Sequence, residues 1–523
     1  MQHISLPSVF STRFLIFVLL TNILFAACTS TDPFQEFLAA GGQEYDLLIS
    51  GGQVLDGTDS VARRADILIQ QDSIVFIGLI DTALVSVKQI IDAKGKYVTP
   101  GFIDTHAHGD PTETPAFENF LAQGVTTICL GQDGGSPGFE DLRPWMDQVD
   151  SIRTGVNIAL FAGHGTLRRL SGVDYDREPG EDGLRRMEEL LSAALDAGCF
   201  GMTTGLEYTP GTYAGDAELI ALAKIVGQRN GLIMSHMRNE DNDAIEASLR
   251  ELLRQGQYAN VQASHLKVVY GKGAGRAEEV LAMLDSARRA STHTVTADVY
   301  PYTASYTGIG IVFPQWAKPP NIYGDVKQAR REELLAFLRQ KITDRNGPEA
   351  TLFGTAPFAG KTLAEVAREQ ERPFEEVLLD IGPGGASGAY FVMNEDLQAR
   401  LLQDPHVMIC SDGSPTMRHP RGYGSFTKIL TTYAQQEKLF SLPEAIRKMT
   451  SLPAETLGMA GRGHLRTGYF ADLLIFDPER IEAKATFSEP HQWSEGMDWV
   501  IVNGEVAWQS GKLMGRNGRV VKK

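Results

Sequence analysis

The stretch Gly101-Phe102-Ile103-Asp104-Thr105-His106-Ala107-His108 decides how this chain is read. It follows Val98-Thr99-Pro100, runs apolar through Ile103, and then sets two histidines at alternate positions. On an extended strand such positions project from the same face. Two imidazoles side by side form half a metal site, and the C-terminal end of a strand is where (β/α)8 enzymes hold their chemistry. An HxH pair alone is a common motif, and many such histidines are surface residues or hydrogen-bonded core residues. The partners have to come from the rest of the chain.

Eight apolar, β-type runs alternate with helical stretches, at 102–106, 126–130, 157–162, 199–204, 232–235, 260–264, 294–299 and 407–411. Helical patterns such as 183–197 and 216–230 lie between them, the order expected of a parallel α/β sheet. Eight such strands predict a closed (β/α)8 barrel over residues 101–462, with its chemistry on the loops of one rim. The gap before the last run, about 313–405, is far longer than an ordinary connection and reads as an insertion covering the site. On either side, residues 45–100 and 463–523 carry short strands and turns, among them Asp46-Leu47-Leu48-Ile49-Ser50 and Trp499-Val500-Ile501-Val502. They predict one small β-sandwich built from both chain ends.

A length of 523 residues accommodates a barrel with an insertion and a satellite domain. The net charge of −16 is spread without long like-charge runs, which argues against a nucleic-acid surface. The N-terminus differs from the rest: Arg13 precedes a mostly apolar run over 14–27, of signal-peptide length and short of a bilayer span. It ends Leu24-Phe25-Ala26-Ala27-Cys28, which resembles a bacterial lipobox. Residues 1–28 are therefore expected to be a signal ending in a lipidated Cys28 and 29–44 a linker. The protein would then be exported and lipid-anchored at a bacterial membrane, facing the periplasm or the exterior. An ordinary cleaved signal with an incidental cysteine is the alternative. Cys129, Cys199 and Cys410 lie in apolar segments and are odd in number, so no disulfide framework is expected.

Several strands stop at a polar residue facing the rim. The fifth ends Met234-Ser235-His236, the sixth Ala263-Ser264-His265 and the eighth Cys410-Ser411-Asp412. With His106 and His108 they bring four imidazoles and a carboxylate from four strands. A lone strand-end histidine is commonly a hydrogen-bonded core residue, but agreement across four strands points to a metal centre. Nitrogen and carboxylate ligands suit zinc, with other first-row divalent ions as alternatives.

Further motifs are Gly163-His164-Gly165-Thr166-Leu167-Arg168, Gly205-Leu206-Glu207-Tyr208-Thr209-Pro210-Gly211, Ser235-His236-Met237-Arg238-Asn239-Glu240, Asp298-Val299-Tyr300-Pro301-Tyr302 and His419-Pro420-Arg421. Together they resemble the amidohydrolase superfamily, and within it the D-aminoacylase or N-acyl-D-amino-acid deacylase family, over about 45–505. The resemblance implies a distorted (β/α)8 TIM barrel with a β-sandwich from both termini and one or two zinc ions. It also implies hydrolysis of N-acyl-D-amino acids to a carboxylic acid and a D-amino acid.

Carried over by position, His106, His108, His236 and His265 are metal ligands. The family carries a ligating cysteine in Asn-Cys-Gly after the second strand, whereas this chain reads Gln132-Asp133-Gly134. Cys129 lies four residues back, roughly 13 Å along a strand at about 3.3 Å per residue. Asp133 takes the cysteine's place as a ligand able to bridge two ions, unless it merely caps the next turn. No lysine stands in Thr203-Thr204-Gly205-Leu206, which separates the chain from relatives that bridge their metals with a carboxylated lysine at that strand end. The resemblance gives Lys267, Tyr300 and Arg421 to the substrate α-carboxylate, although a loop lysine is ordinarily a solvated charge. It leaves His164 as either a substrate contact or a structural residue, and gives Glu207, Arg238 and Glu240 no separate role. Asp412 is expected to take a proton from the nucleophile and return it to the leaving amine. The competing readings are a dipeptidase for peptides ending in a D-residue, an amidase for another acylated amine, or a non-catalytic binding lipoprotein. Asp133 alone encourages the last.

Overall fold

The structure, a computed structural model, describes residues 33–39, 44–58 and 61–523. The signal segment with Cys28 lies outside the described residues, as does half of the linker. Pro33–Ala39 is a short helix in a unit of its own, and the remainder, Gln43–Lys523, is a second unit. No helix among the described residues is long and apolar enough to cross a membrane.

All eight expected strands are present within two residues at either end. They are β1 (Phe102–Asp104), β2 (Val125–Leu130), β3 (Asn157–Leu160), β4 (Gly201–Gly205), β5 (Leu232–His236), β6 (Asn260–Ala263), β7 (Val295–Val299) and β8 (Val407–Ile409). Pairing is parallel throughout, for example Ile233 with Val261 and Val299 with Ile409. The strands form two sheets, β1–β3 in one and β4–β8 in the other. The C-terminal tail explains the division, because Val520–Val521 pairs with Ile158 and Ala159 of β3 and Lys523 donates its amide to Gly198 just before β4. Beyond this wedge β3 and β4 meet, through Phe200 N–H to Leu160 O (2.9 Å). On the opposite side β8 meets β1, where Asp412 N–H donates to His106 O (2.8 Å) and His108 N–H to Gly413 O (2.7 Å).

Side chains alternate between two faces, the period of a strand. Ile103, Cys129, Ala159, Leu232 and Met234 pack with Phe161, Phe200 and Leu457. Phe102, Ile128, Ile158, Met202, Ile233 and Val261 pack with helix residues Met146, Leu191, Leu222, Leu249 and Leu281. Burial of both faces is why these strands read as unbroken apolar runs. Cys129, Cys199 and Cys410 are free and buried.

The chain ends meet in one nine-stranded sheet. Glu44–Val54, Arg63–Gln70, Ser73–Gly78, Ser86–Asp92 and Tyr97–Pro100 come from one side of the sequence. Leu473–Phe476, Met497–Val502, Glu505–Gln509 and Lys512–Leu513 come from the other, and the join is the antiparallel pair Tyr97–Pro100 and Leu473–Phe476. The expected insertion is a folded unit with its own core of Leu334, Leu338, Phe353, Leu378 and Tyr390. Its three-stranded antiparallel sheet begins at Ala304, earlier than the sequence implied, because Ala304–Gly308 follows β7 almost directly and pairs with Ser387–Phe391.

Asp472 ties the flanking sheet to β3. Its carboxylate accepts from Asn503 N–H (2.8 Å), from the Asn157 side-chain amide (3.2 Å) and from the Arg462 guanidinium, all buried. Asp472→Ala leaves the buried Arg462 charge without its carboxylate, with only Asn503 Oδ1 (2.9 Å) still accepting from it, and is expected to cost about 3–5 kcal/mol of folding stability. Chemical denaturation checks this; an unshifted midpoint would remove the tie from the account.

Candidate active site

The four strand-end histidines converge. His106 Nε2 and His265 Nε2 each lie 3.3 Å from Asp133 Oδ1, and His236 Nδ1 lies 3.6 Å from it. His108 Nε2 is 3.6 Å from Asp133 Oδ2 and 3.1 Å from Asp412 Oδ1. Donor atoms of His106, His108, Asp133 and Asp412 all fall within 4.8 Å of one another, as do those of Asp133, His236 and His265. Asp133 therefore belongs to two metal-competent groups at once. His106 is fully buried, yet neither of its ring nitrogens has a hydrogen-bond partner, the condition of an imidazole whose natural partner is an ion. The donor set of imidazole and carboxylate with no thiolate fits zinc or another first-row divalent ion.

Backbone conformation places these residues. Asp133, His265 and Asp412 have φ of 54°, 37° and 48°, in the left-handed region that non-glycine residues enter mainly in tight turns and at functional sites. Gly131 lets the Asp133 turn lie against β3, since a Cβ there would meet Phe161 O at 2.2 Å. Gly205 does the same against β4, where a Cβ would meet Asp133 O at 2.1 Å. Beneath the cluster, buried Asp298 accepts from His265 N–H, Thr105 Oγ1 and Gln262 Nε2, each at 2.5 Å. Asp104 accepts from His106 N–H (3.1 Å) and Ser411 N–H (3.0 Å), joining β1 to β8. Burial pushes the Asp104 carboxyl up to about 7, against those hydrogen bonds.

Charge in the cluster is mutually compensated. Burial works against the Asp133 carboxylate, but His106, His236 and His265 hold its pKa well below the ordinary value. Burial likewise disfavours charge on His236, and Glu240, Asp133 and Glu207 overcome it to hold the ring at about 10. Asp412 is kept ionised against burial by Arg421, His265 and His108. Its Oδ2 lies 2.7 Å from Arg421 Nη1.

The remaining expected residues are placed unequally. Arg421 stacks 4.8 Å from the Tyr300 ring centre, and Lys267 Nζ lies 6.0 Å from the same ring. Lys267 is already paired with Glu240 (2.8 Å), and its Nζ also lies 2.8 Å from His265 Nδ1. His164 is wholly buried, with Nε2 2.7 Å from Glu218 Oε1, in a group completed by Arg168. It does not line the cavity over the cluster, whose wall includes Asp133, His236, His265, Lys267, Asp412 and Arg421.

Sequence reasoning gave no role to Glu207, which reaches His236 Nε2 at 3.1 Å, or to Glu240. Their signal was position, since both follow strand ends on the rim. Tyr208, whose ring packs 4.4 Å from His236, and Arg345 of the insertion complete the wall. Tyr208 lies in the motif 205–211 but was given no role, and Arg345 had no sequence signal.

An α/β scaffold with strand-end imidazoles and carboxylates gathered over one rim defines a metal-dependent hydrolase of the amidohydrolase type. A family model described as the amidohydrolase family matches residues 341–507. The N-acyl-D-glutamate deacylase of Alcaligenes xylosoxydans xylosoxydans is 33% identical over 92% of this chain and 97% of its own. A crystal structure of the N-acyl-D-glutamate deacylase from Bordetella bronchiseptica, complexed with zinc and a phosphonate mimic of the tetrahedral intermediate, superposes with a TM-score of 0.80. It shares 32% identity and covers 92% of this chain and 100% of that one. A D-aminoacylase structure described for its binuclear metal centre, with one-metal activation and second-metal attenuation, gives 0.79 at 30% identity, again over 92% and 100%. The chain belongs to the D-aminoacylase and N-acyl-D-amino-acid deacylase family of amidohydrolases.

Because Asp133 touches both groups, Asp133→Ala is expected to weaken zinc binding at each, whereas His236→Ala weakens one. The loss should reach at least the roughly 10–100-fold that follows removal of supporting residues around a metal. Zinc titration of chelator-stripped protein checks this; wild-type affinity at either position in Asp133→Ala would exclude the bridge.

Proposed function

We propose that the protein hydrolyses the amide bond of N-acyl-D-amino acids, releasing a carboxylic acid and a D-amino acid. One or two zinc ions are held by His106, His108, Asp133, His236 and His265. The observation that carries the reading is Asp412, poised between His108 (3.1 Å) and Arg421 (2.7 Å) at the edge of the cluster. The chemistry that bound zinc supplies is Lewis acidity, which polarises the acyl carbonyl and acidifies water.

Asp412 is the proton carrier: its ionised carboxylate accepts the proton of the attacking water and delivers it to the departing nitrogen. Arg421 offers a planar fork beside Asp412, so the carboxylate it holds is the one adjacent to the scissile amide. Tyr300 packs beneath that fork, and Lys267, steadied by Glu240, completes a cationic wall. Together they favour substrates with a free α-carboxylate, a preference shared with a dipeptidase acting on C-terminal D-residues.

The same reading takes β1–β8 as one distorted eight-stranded barrel over 101–462, with the insertion at about 313–405. The hydrogen bonds joining the sheet edges on both sides support it. It takes 45–100 and 463–523 as a small β-sandwich. In support, the strand Glu44–Val54 pairs with Ser86–Asp92 along its first half and with Tyr97–Pro100 along its second.

Export and lipid anchoring through Cys28 are part of the proposal, supported by Arg13, the apolar run 14–27 and the small residues before Cys28. Cys28→Ala is expected to abolish fatty-acid labelling and move the protein from the membrane to the soluble fraction; labelling that persists would exclude the anchor.

Asp412→Asn is expected to lower kcat by about 10²–10⁴-fold on N-acetyl-D-amino acids while zinc content stays at the wild-type level. A stereochemically paired assay of amino-acid release with zinc analysis checks both. Wild-type turnover in the variant, or equal release from the L-substrates by the wild type, would overturn the assignment.

A further inference from the structure

Among the described residues of the cavity wall, Arg345 is the one arginine or lysine with no carboxylate paired to it. It follows the helix Arg331–Asp344 in the insertion and shares the wall with Asp133, His265, Asp412 and Arg421. The residue is 4% exposed, and its Nε has no hydrogen-bond partner. Among the described residues its guanidinium takes part in no hydrogen bond or ion pair and is held only between aromatic rings. Its Cζ lies 5.1 Å from the Tyr390 ring centre and 5.9 Å from that of Tyr270. The acids around the cavity are taken: Glu240 by Lys267, Asp412 by Arg421, Glu207 by His236, and Asp241 by Lys341 at 3.5 Å. Arg345 acts on Asp241 only through the field of its charge.

A buried guanidinium without an acceptor is costly, and a planar fork of this kind matches a carboxylate in bidentate fashion. We infer that Arg345 is a substrate-binding residue for a carboxylate at the far end of the amino-acid side chain, which makes N-acylated acidic D-amino acids the preferred substrates. The inference rests on the deacylase reading above. Position separates this anion from the α-carboxylate. Arg421 touches the proton carrier Asp412, so the group it holds lies beside the amide. Arg345 comes from the insertion, packs on Tyr390 and Tyr270, and is paired with no residue of the metal-competent groups, so the group it takes is the one further along the substrate. The rings enclose Nε without giving it an acceptor, and a cation so placed attracts an entering anion strongly.

The test compares N-acetyl-D-glutamate with its neutral isostere N-acetyl-D-glutamine on the zinc-loaded protein. The wild type is expected to favour the glutamate by about 10–100-fold in kcat/KM. Arg345→Met should bring the two to near parity by raising KM for the glutamate alone, and Arg345→Lys should keep part of the preference. A wild type without preference, or an Arg345→Met variant that loses both substrates equally, overturns the inference and leaves Arg345 a structural residue. Thermal midpoints of both variants identify a folding loss; if Arg345→Met does not fold, the Lys variant decides, since unchanged preference there also counts against it. If the wild type turns over neither compound but releases other D-amino acids from their N-acetyl derivatives, the inference falls and the deacylase reading stands; if it acts on no N-acetyl-D-amino acid, the deacylase reading has failed. Calorimetric binding of D-glutamate against D-glutamine, in wild type and variant, then still decides the role of Arg345.

Discussion

One carboxylate amid three imidazoles is the constraint on which the site is built. Asp133 draws His106, His236 and His265 to within 3.3–3.6 Å of its Oδ1, although they come from strands far apart in sequence. Removing water from so many polar rings is unfavourable unless each finds a partner. Asp133 supplies part of that partnership, and an ion shared among the rings would supply the rest. Its position in turn depends on backbone: a left-handed residue flanked by glycines lies where a Cβ on Gly131 or Gly205 would collide with the neighbouring chain. The layer beneath is rigid for the same reason, because Asp298 and Asp104 fasten the ends of β1, β6 and β8 to one another before any ligand arrives.

The features legible in the sequence were those with local signals. Strands buried on both faces produce continuous apolar runs, and the residue that follows each run marks the rim, so His106, His108, His236, His265 and Asp412 could be picked out one by one. What escaped notice depended on pairing between distant segments. Nothing in Val520-Val521 announces that the tail enters beside β3 and divides the strands into two sheets. Glu240 and Lys267 meet as a buried pair only because β5 and β6 are neighbours. Glu218 holds His164 in a buried group because a helix residue lies beneath it. Arg345 carries no motif, and its importance comes from what it lacks in three dimensions.

The pairing of Arg421 with Asp412 sets a condition on substrate geometry. Arg421 Nη1 is committed to Asp412 Oδ2 at 2.7 Å, and its Nη2 donates to Tyr306 O at 3.2 Å. On the proposed reading, a substrate carboxylate has to share this fork with Asp412, and a planar guanidinium admits two anions only when both lie near its plane. That reading holds the α-carboxylate and Asp412 in a fixed relation on a single group. A lysine, a point charge on a flexible stem, would impose no such plane, so on the proposed reading the fixed geometry belongs to Arg421 and Lys267 supplies positive charge.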